Sequence, residues 1–203
     1  MKNSILTLLA VSTMLACKKS ETTTVNQPMD STAVAPSVDS PAVTADSTTV
    51  TGTTNTKVSL SDQDKKFADG AAQGGLMEVM MGKLVATNAS DKNVKNLGEM
   101  MVKDHSKANE ELKSWASTVG YTLPTSLDAE KQKKYDELKS KKGAEFDRMY
   151  SDLMVSDHKE DIAEFKKEAA DGQEASLKSF ASKTLPTLDH HLMEAQKTKS
   201  GIK

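Results

Sequence analysis

The chain contains 203 residues, and its 27 lysines and arginines against 29 aspartates and glutamates give a net charge of −2 at pH 7. This balance, without a clustered basic face, argues against a nucleic-acid partner. Cys17 is the only cysteine, which excludes an intramolecular disulfide, so the core alone must hold the fold together.

The first 16 residues have the pattern of a secretory signal peptide. Lys2 supplies positive charge, residues 5–11 form a short apolar run, and Leu15-Ala16-Cys17 follows. The run is about half the ~20 residues that a membrane-crossing helix needs. The Leu-Ala-Cys ending resembles the bacterial lipobox, in which cleavage precedes a cysteine that is then acylated. We therefore predict a signal peptide at 1–16 and a lipid anchor at Cys17, against the alternative of a generic signal peptide.

The residue after the cysteine bears on location within the cell envelope. Lys18 stands where an inner-membrane retention signal of the enterobacterial kind would place an aspartate. This favours an outer-membrane lipoprotein. Whether the protein faces the periplasm or the cell surface is left open.

Residues 17–58 are predicted to be a disordered tether. From residue 20 onward this stretch is rich in Thr, Ser, Val, Ala, Pro and Asp and contains no aromatic residue, Leu or Ile. Such a composition cannot bury enough apolar surface to offset the entropy lost on ordering. The tether would hold a folded domain, residues 59–203, away from the membrane.

The domain is predicted to be all-α, because its apolar residues recur at intervals of three and four. Ser61 should cap a first helix that ends near Asn88, and Ser90 should cap a second helix that ends at Gly120. The third and fourth helices should span about 144–170 and 174–199. Pro186 should kink the fourth helix or split it into two pieces.

The lengths of the links choose between bundle topologies. Residues 121–143 form a long link that contains Pro124 and a short helical piece around Tyr135 and Leu138, whereas the other links are short. A bundle that alternates up and down needs only short links. One long crossover between the second and third helices predicts a ferritin-like four-helix bundle.

The first helix is unusually rich in glycine, which lowers helix propensity. We expect these positions to allow the close approach of a neighbouring helix. They are Gly70, Gly74, Gly75 and Gly82.

A repeated phrase marks the second and third helices. Met-Val-Lys-Asp-His at 101–105 recurs as Met-Val-Ser-Asp-His at 154–158, and the fourth helix carries Asp-His-His at 189–191. His105, His158 and His191 each lie three or four residues from apolar stripe positions, so they should face inward, whereas His190 should not. The aspartates that precede these histidines should lie at the helix flanks.

Glu78 on the first helix is also predicted to face inward. At 1.5 Å per residue, it falls within roughly 10 Å of His105, His158 and His191 along the bundle axis. One carboxylate and three imidazoles are ordinary ligands for zinc, iron or copper. The alternative is that the four groups form a buried hydrogen-bond network with a purely structural role.

The neighbouring residues narrow the choice of metal. Ferritin-like di-iron centres place a glutamate three residues before a histidine, whereas Val102, Val155 and Leu188 occupy those places here. A di-iron centre is therefore disfavoured. Met101 and Met154 lie four residues before a histidine and would suit copper(I), although methionine on a helix stripe is more often core filler.

No serine, cysteine or lysine stands in a recognisable nucleophile motif, so no catalytic residue is predicted. Asp147 and Tyr150 form a Phe-Asp-x-x-Tyr phrase. Asp147 lies about 16 Å from His158 along the helix, which favours a capping or tyrosine-linked structural role.

Several phrases resemble the bacterial domain-of-unknown-function family 4142 over about residues 62–196. They are FADGAAQGGLMEV, MVKDHSKANEEL, FDRMY, MVSDH and LPTLDHHL. The resemblance implies a ferritin-like fold in an exported protein, and it implies no activity, because the family's activity is unassigned. The residues at the family's pattern positions are Glu78, Asp104, His105, Asp147, Tyr150, His158 and His191.

Two functions are therefore expected first. One is a cell-envelope metal-binding bundle; the other is a non-catalytic envelope interaction or stress protein whose buried His/Glu cluster is structural. A redox enzyme ranks third, and the protein partner is left open.

Overall fold

A computed structural model describes residues 59–202. The predicted signal peptide, Cys17 and the tether lie outside this range. The described part contains no β-strand, which confirms the all-α prediction, and none of its helices has the length and hydropathy needed to cross a membrane. The helices are α1 (Asp62–Asn88), α2 (Lys92–Val119), α3 (Ala129–Lys139), α4 (Gly143–Asp171) and α5 (Ala175–Gly201).

The four long helices form a bundle with ferritin-like topology. Asp64 at the start of α1 accepts a hydrogen bond from the backbone of Gln173 just before α5, so both helices begin at one end. Asn88 at the far end of α1 donates to the Lys141 carbonyl just before α4. Helices α1 and α5 therefore run one way and α2 and α4 the other. The link 120–142, which contains α3, crosses the length of the bundle, as predicted.

The helix starts follow the sequence with one exception. Ser61 and Asp64 form a capping box, in which each side chain accepts from the other residue's backbone N–H. Helix α2 is capped by Asp91, whose Oδ1 accepts from the Asn93 and Val94 backbones, and not by Ser90 as predicted.

Ser90 is used elsewhere. Asp147 of α4 accepts hydrogen bonds from the Ser90 backbone and hydroxyl, and from the Asp91 backbone at 2.9 Å. This contact ties the start of α4 to the α1–α2 turn. Asp147 therefore has the structural, capping role that was expected of it.

Helix α5 is continuous through Pro186, so of the two predicted effects the split does not occur, and the kink stays a prediction. The proline ring removes one backbone N–H from the helix. Pro186 lies on the exposed face, where water can bond the carbonyl that loses its partner.

The core divides into two apolar clusters with a polar layer between them. One cluster, near the start of α1, includes Phe67, Leu112 and Phe165. The other, near the end of α1, includes Met81 and Tyr150, together with Met101 and Met154. On each long helix the inward histidine or glutamate falls between residues of these two clusters.

The glycines of α1 have two different environments. A Cβ at Gly82 would lie 2.7 Å from Val102 Cγ2 and 2.9 Å from the Gly98 carbonyl oxygen, and a Cβ at Gly75 would overlap Asn109. These two positions allow α2 to approach closely, as predicted. Gly70 and Gly74 do not have this role. A Cβ at Gly70 would meet nothing within 4 Å, and a Cβ at Gly74 would meet only Asp161 Oδ1, at 3.8 Å.

A matched pair of substitutions should separate these environments. Gly82→Ala is expected to destabilise the protein, since overpacking against backbone costs about 1–3 kcal/mol and outweighs the gain in propensity. Gly70→Ala should stabilise it by about 1 kcal/mol, because only the propensity changes. Urea unfolding of both variants checks this, and effects of equal sign would contradict it.

Candidate metal centre

Four buried groups from four different helices make up the polar layer. Their exposed fractions are 1% for Glu78 on α1, 6% for His105 on α2, and 0% for both His158 on α4 and His191 on α5. All four residues predicted to share a site therefore meet in the interior. His190 is exposed, as expected.

One nitrogen of each histidine faces a common point. His158 Nε2 lies 3.4 Å from His105 Nε2 and 3.2 Å from His191 Nδ1. All three ligand atoms lie within 4.8 Å of one another. Nitrogens bound tetrahedrally to zinc at its usual bond length are separated by about 3.4 Å. The two short separations match this spacing.

The other nitrogen of each ring faces an acceptor. His105 Nδ1 lies 2.9 Å from Glu78 Oε2, and His158 Nδ1 lies 3.0 Å from the Met154 carbonyl oxygen. His191 Nε2 lies 3.1 Å from Asp104 Oδ2. Acceptors at these positions draw the ring proton to the far side and leave the inner nitrogens as lone pairs, which is how metal-ligating histidines are held.

Three lone pairs directed at one point repel one another unless a cation lies between them. His158 Nδ1 faces a carbonyl that can only accept, so the His158 Nε2 lone pair is fixed. This lone pair can accept one hydrogen bond, from His105 or from His191, so a network of neutral rings leaves the inner nitrogen of the third ring without a partner. A cation satisfies all three nitrogens without reversing any tautomer.

Burial keeps the rings neutral. It lowers the pKa of His105, His158 and His191 to about 4. Neutral imidazole is the form that binds metals. Burial also raises the pKa of Glu78 to about 7, against the opposing effect of His158.

Glu78 is close to two rings but is not well aligned with either. Its Oε1 lies 3.3 Å from His158 Nδ1, in addition to the Oε2 contact with His105. Within residues 59–202, neither oxygen has a hydrogen-bond partner of good geometry. Buried polar atoms rarely lack a hydrogen-bond partner. Glu78 is thus available to a cation or to a reoriented ring.

Met101 and Met154 are fully buried and belong to the apolar cluster near the end of α1. Met154 contributes its backbone carbonyl to His158. That the two thioethers act as ligands stays a prediction.

Asp157 is the aspartate whose predicted position at the helix flank is wrong, because it is 5% exposed. Asp104 has a partly exposed side chain (30%), as expected of a flank, and from there it reaches across to His191 on α5, which was not predicted. The signal was the Asp-His phrase itself, which occurs three times. Only at Asp104 does the aspartate of that phrase contact a ring of the site: Asp157 binds Lys134, and Asp189 is exposed.

Loss of Asp104 should weaken metal binding without abolishing it. Asp104→Ala leaves His191 free to rotate or change tautomer. Loss of a residue that holds a metal ligand in place typically lowers metal affinity by about 10–100-fold. Asp189→Ala is the matched control, because Asp189 also precedes a histidine but is exposed. Equilibrium metal titration of the two variants checks this, and equal affinities would contradict the role of Asp104.

Solved structures share this fold. A DUF305 fragment from Deinococcus radiodurans superposes with a TM-score of 0.62 at 10% identity, covering 70% of this chain and 99% of that chain. CopM in its Cu(II)-bound form superposes with a TM-score of 0.58 at 12% identity, covering 68% of this chain and 95% of that chain. CopM in its Cu(I)-bound form gives a TM-score of 0.56 at 13% identity, covering 66% and 93%. At these identities the likeness shows the helical-bundle fold alone.

Sequence comparison identifies the family. No curated protein matches the chain significantly. The family described as "Domain of unknown function (DUF4142)" matches residues 49–198, which is most of the chain and includes all four residues of the polar layer. The chain therefore belongs to the DUF4142 family.

Proposed function

We propose that this protein is an exported lipoprotein whose helical bundle binds one transition-metal ion through His105, His158 and His191. The observation that carries the proposal is the convergence of three imidazole nitrogens, because acceptors hold the distal nitrogens of His158 and His191 and Glu78 faces that of His105. A structural network would place protons between these rings, and the acceptors around them oppose that arrangement.

Copper is the metal we propose first. Imidazole ligands suit copper, zinc, iron and nickel, and among divalent ions copper binds such ligands most tightly. CopM, which shares the fold, has been solved in copper-bound forms. Zinc and iron are the competing outcomes. Met101 and Met154 would add to the affinity for copper(I) if their thioethers reach the site.

Competition titrations name the ion. The untagged metal-free protein is titrated with Cu²⁺, Zn²⁺ and Fe²⁺, and with Cu⁺ under reducing conditions, against chromophoric chelators of known affinity. We expect one ion per chain and the tightest binding for copper. Tighter zinc binding would replace copper in the proposal. Failure of all four ions to compete would leave the buried cluster as a structural network in a protein that acts through its surface.

The envelope location rests on the first 17 residues. The short apolar run and the Leu-Ala-Cys ending support cleavage before Cys17 and lipid attachment there. Cys17→Ala should move the protein from the membrane fraction to the soluble fraction of cells, and mass spectrometry of the wild-type amino terminus should find a diacylglyceryl-cysteine. An unmodified Cys17 would contradict the anchor.

A further inference from the structure

A cavity of about 210 Å³ lies between α1 and α4, and it reaches the histidine site through Glu78, which is the residue of the polar layer that lines it. Exposed residues such as Glu160 and Glu164 line its outer part, and the buried Glu78 lines its inner part. Part of α3 borders it through Glu130 and Lys134. We call this space the α1–α4 slot. It leads from the protein surface to a carboxylate that contacts two rings of the site.

The wall on α1 is open because two glycines form it. Gly70, Gly74 and Glu78 follow one another at intervals of four and so lie on one face of the helix. A side chain at Gly70 would meet open space, and a Cβ at Gly74 would make only an ordinary contact with Asp161. Helix packing does not require these glycines, and each costs helix propensity. Their effect is to keep the slot open.

The wall on α4 is acidic. Asp157, Asp161 and Glu164 follow at intervals of four and three, on the face opposite the glycines. Asp157 is buried, and its Oδ2 has no hydrogen-bond partner among the described residues; the same holds for both oxygens of Glu78. Buried carboxylate oxygens without partners are costly. A cation in the slot would satisfy them.

Carboxyl groups outnumber lysines in the slot. Six carboxyl groups and three lysines line it. Lys134 of α3 lies 3.2 Å from Asp157 Oδ1 and 3.7 Å from Glu130 Oε1, so two of the carboxyl groups are partners of this lysine. Within residues 59–202, the ion pairs of Glu78 are with histidines only. The lining therefore offers a cation more carboxyl oxygens than there are ammonium groups to pair with them.

We propose that the α1–α4 slot is the path by which the metal cation reaches the three histidines, with Asp161 and then Glu78 as its successive contacts. The inference rests on the proposed function. The exposed carboxylates of Glu160 and Glu164 at the mouth of the slot should concentrate cations there and speed their binding. Glu78 lies 2.9 Å from His105 Nδ1 and 3.3 Å from His158 Nδ1, so the path ends against the outer side of these two rings, and the ion must pass Glu78 to reach their inner nitrogens.

Stopped-flow mixing of the metal-free protein with Co²⁺ tests the path, because cobalt bound by imidazole absorbs visible light. Gly70→Leu fills the outer slot while raising helix propensity. It should slow association and dissociation by the same factor and leave the dissociation constant unchanged, since a narrowed path does not alter the site. Asp161→Asn removes a carboxyl group that would contact the ion on its way, and should slow association by about tenfold.

Matched controls separate these effects from general ones. Ala86→Leu adds the same side chain at an exposed position of α1, and Glu99→Gln removes a charge from an exposed position of α2. Both should bind Co²⁺ at the wild-type rate.

The outcomes distinguish the two proposals. If the wild-type protein binds none of Co²⁺, Cu²⁺ and Zn²⁺, the proposed function fails and the path fails with it. If the wild type binds metal and both slot variants match their controls in rate, only the path is overturned. Weaker equilibrium binding by Asp161→Asn at an unchanged association rate would make Asp161 a ligand, which also overturns the path.

Discussion

Replacing His158 with alanine is expected to abolish metal binding. His158 lies between the other two rings, with its Nε2 3.4 Å from His105 Nε2 and 3.2 Å from His191 Nδ1. Its loss therefore removes one ligand and the contact that aligns the other two. The loss in affinity should exceed the roughly 10–100-fold expected for an outer partner such as Asp104. Isothermal titration of the metal-free protein with Cu²⁺ and Zn²⁺ measures it.

His190→Ala is the control for this variant, because His190 neighbours the site in sequence but is exposed. It should bind metal as the wild type does. Circular dichroism must show that His158→Ala remains helical, so that lost binding is not lost folding. A folded His158→Ala protein with wild-type affinity would contradict the proposed centre.

The three buried histidines should each lower the stability of the metal-free protein in acid. Burial holds the pKa of the three histidines at about 4 in the fold, against about 6.5 in the unfolded chain. The unfolded state therefore binds more protons between these values, and stability falls as pH drops from about 6.5 to 4. Glu78 acts in the opposite direction, because its raised pKa means that stability is lost as pH rises towards 7.

Asp157, Asp161 and Glu168, whose pKa values burial also raises, act in the same direction as Glu78. The contribution of one histidine is therefore isolated by comparing two proteins, and for His158 we expect a loss of about 2 kcal/mol in acid. Urea unfolding with a chelator present, at pH 7 and at pH 4.5, measures it. His158→Leu replaces one titrating ring with an apolar group and should show a smaller loss. Equal losses in the two proteins would mean that His158 is not held neutral by burial.

The helices were predictable because their signals are local. The Ser61–Asp64 capping box and Gly120 in the left-handed conformation (φ 68°) lie where the pattern places them. Residues close in sequence do not determine whether Ser90 or Asp91 caps α2. Both are good capping residues, and the choice depends on Asp147, which binds Ser90 from 57 positions away.

For the site, the sequence predicted which side chains face inward and how far along the bundle axis each one lies, because helical spacing determines both. Spacing alone does not decide which nitrogen of each ring faces inward, or that Asp104 reaches α5, because these depend on side-chain rotamers and on the approach of other helices. The same limit applies to the glycines of α1. Only the neighbouring helices show that Gly82 serves packing while Gly70 borders a cavity.

The central claim is that one metal ion binds among three histidines, and X-ray absorption spectroscopy with elemental analysis tests it most directly. The protein is purified without an affinity tag, loaded with copper or zinc, and desalted. We predict one ion per chain with three nitrogen ligands at about 2.0–2.1 Å, and no ion in His158→Ala. A protein that keeps no metal after desalting, or whose metal shows no imidazole scattering, would contradict the account.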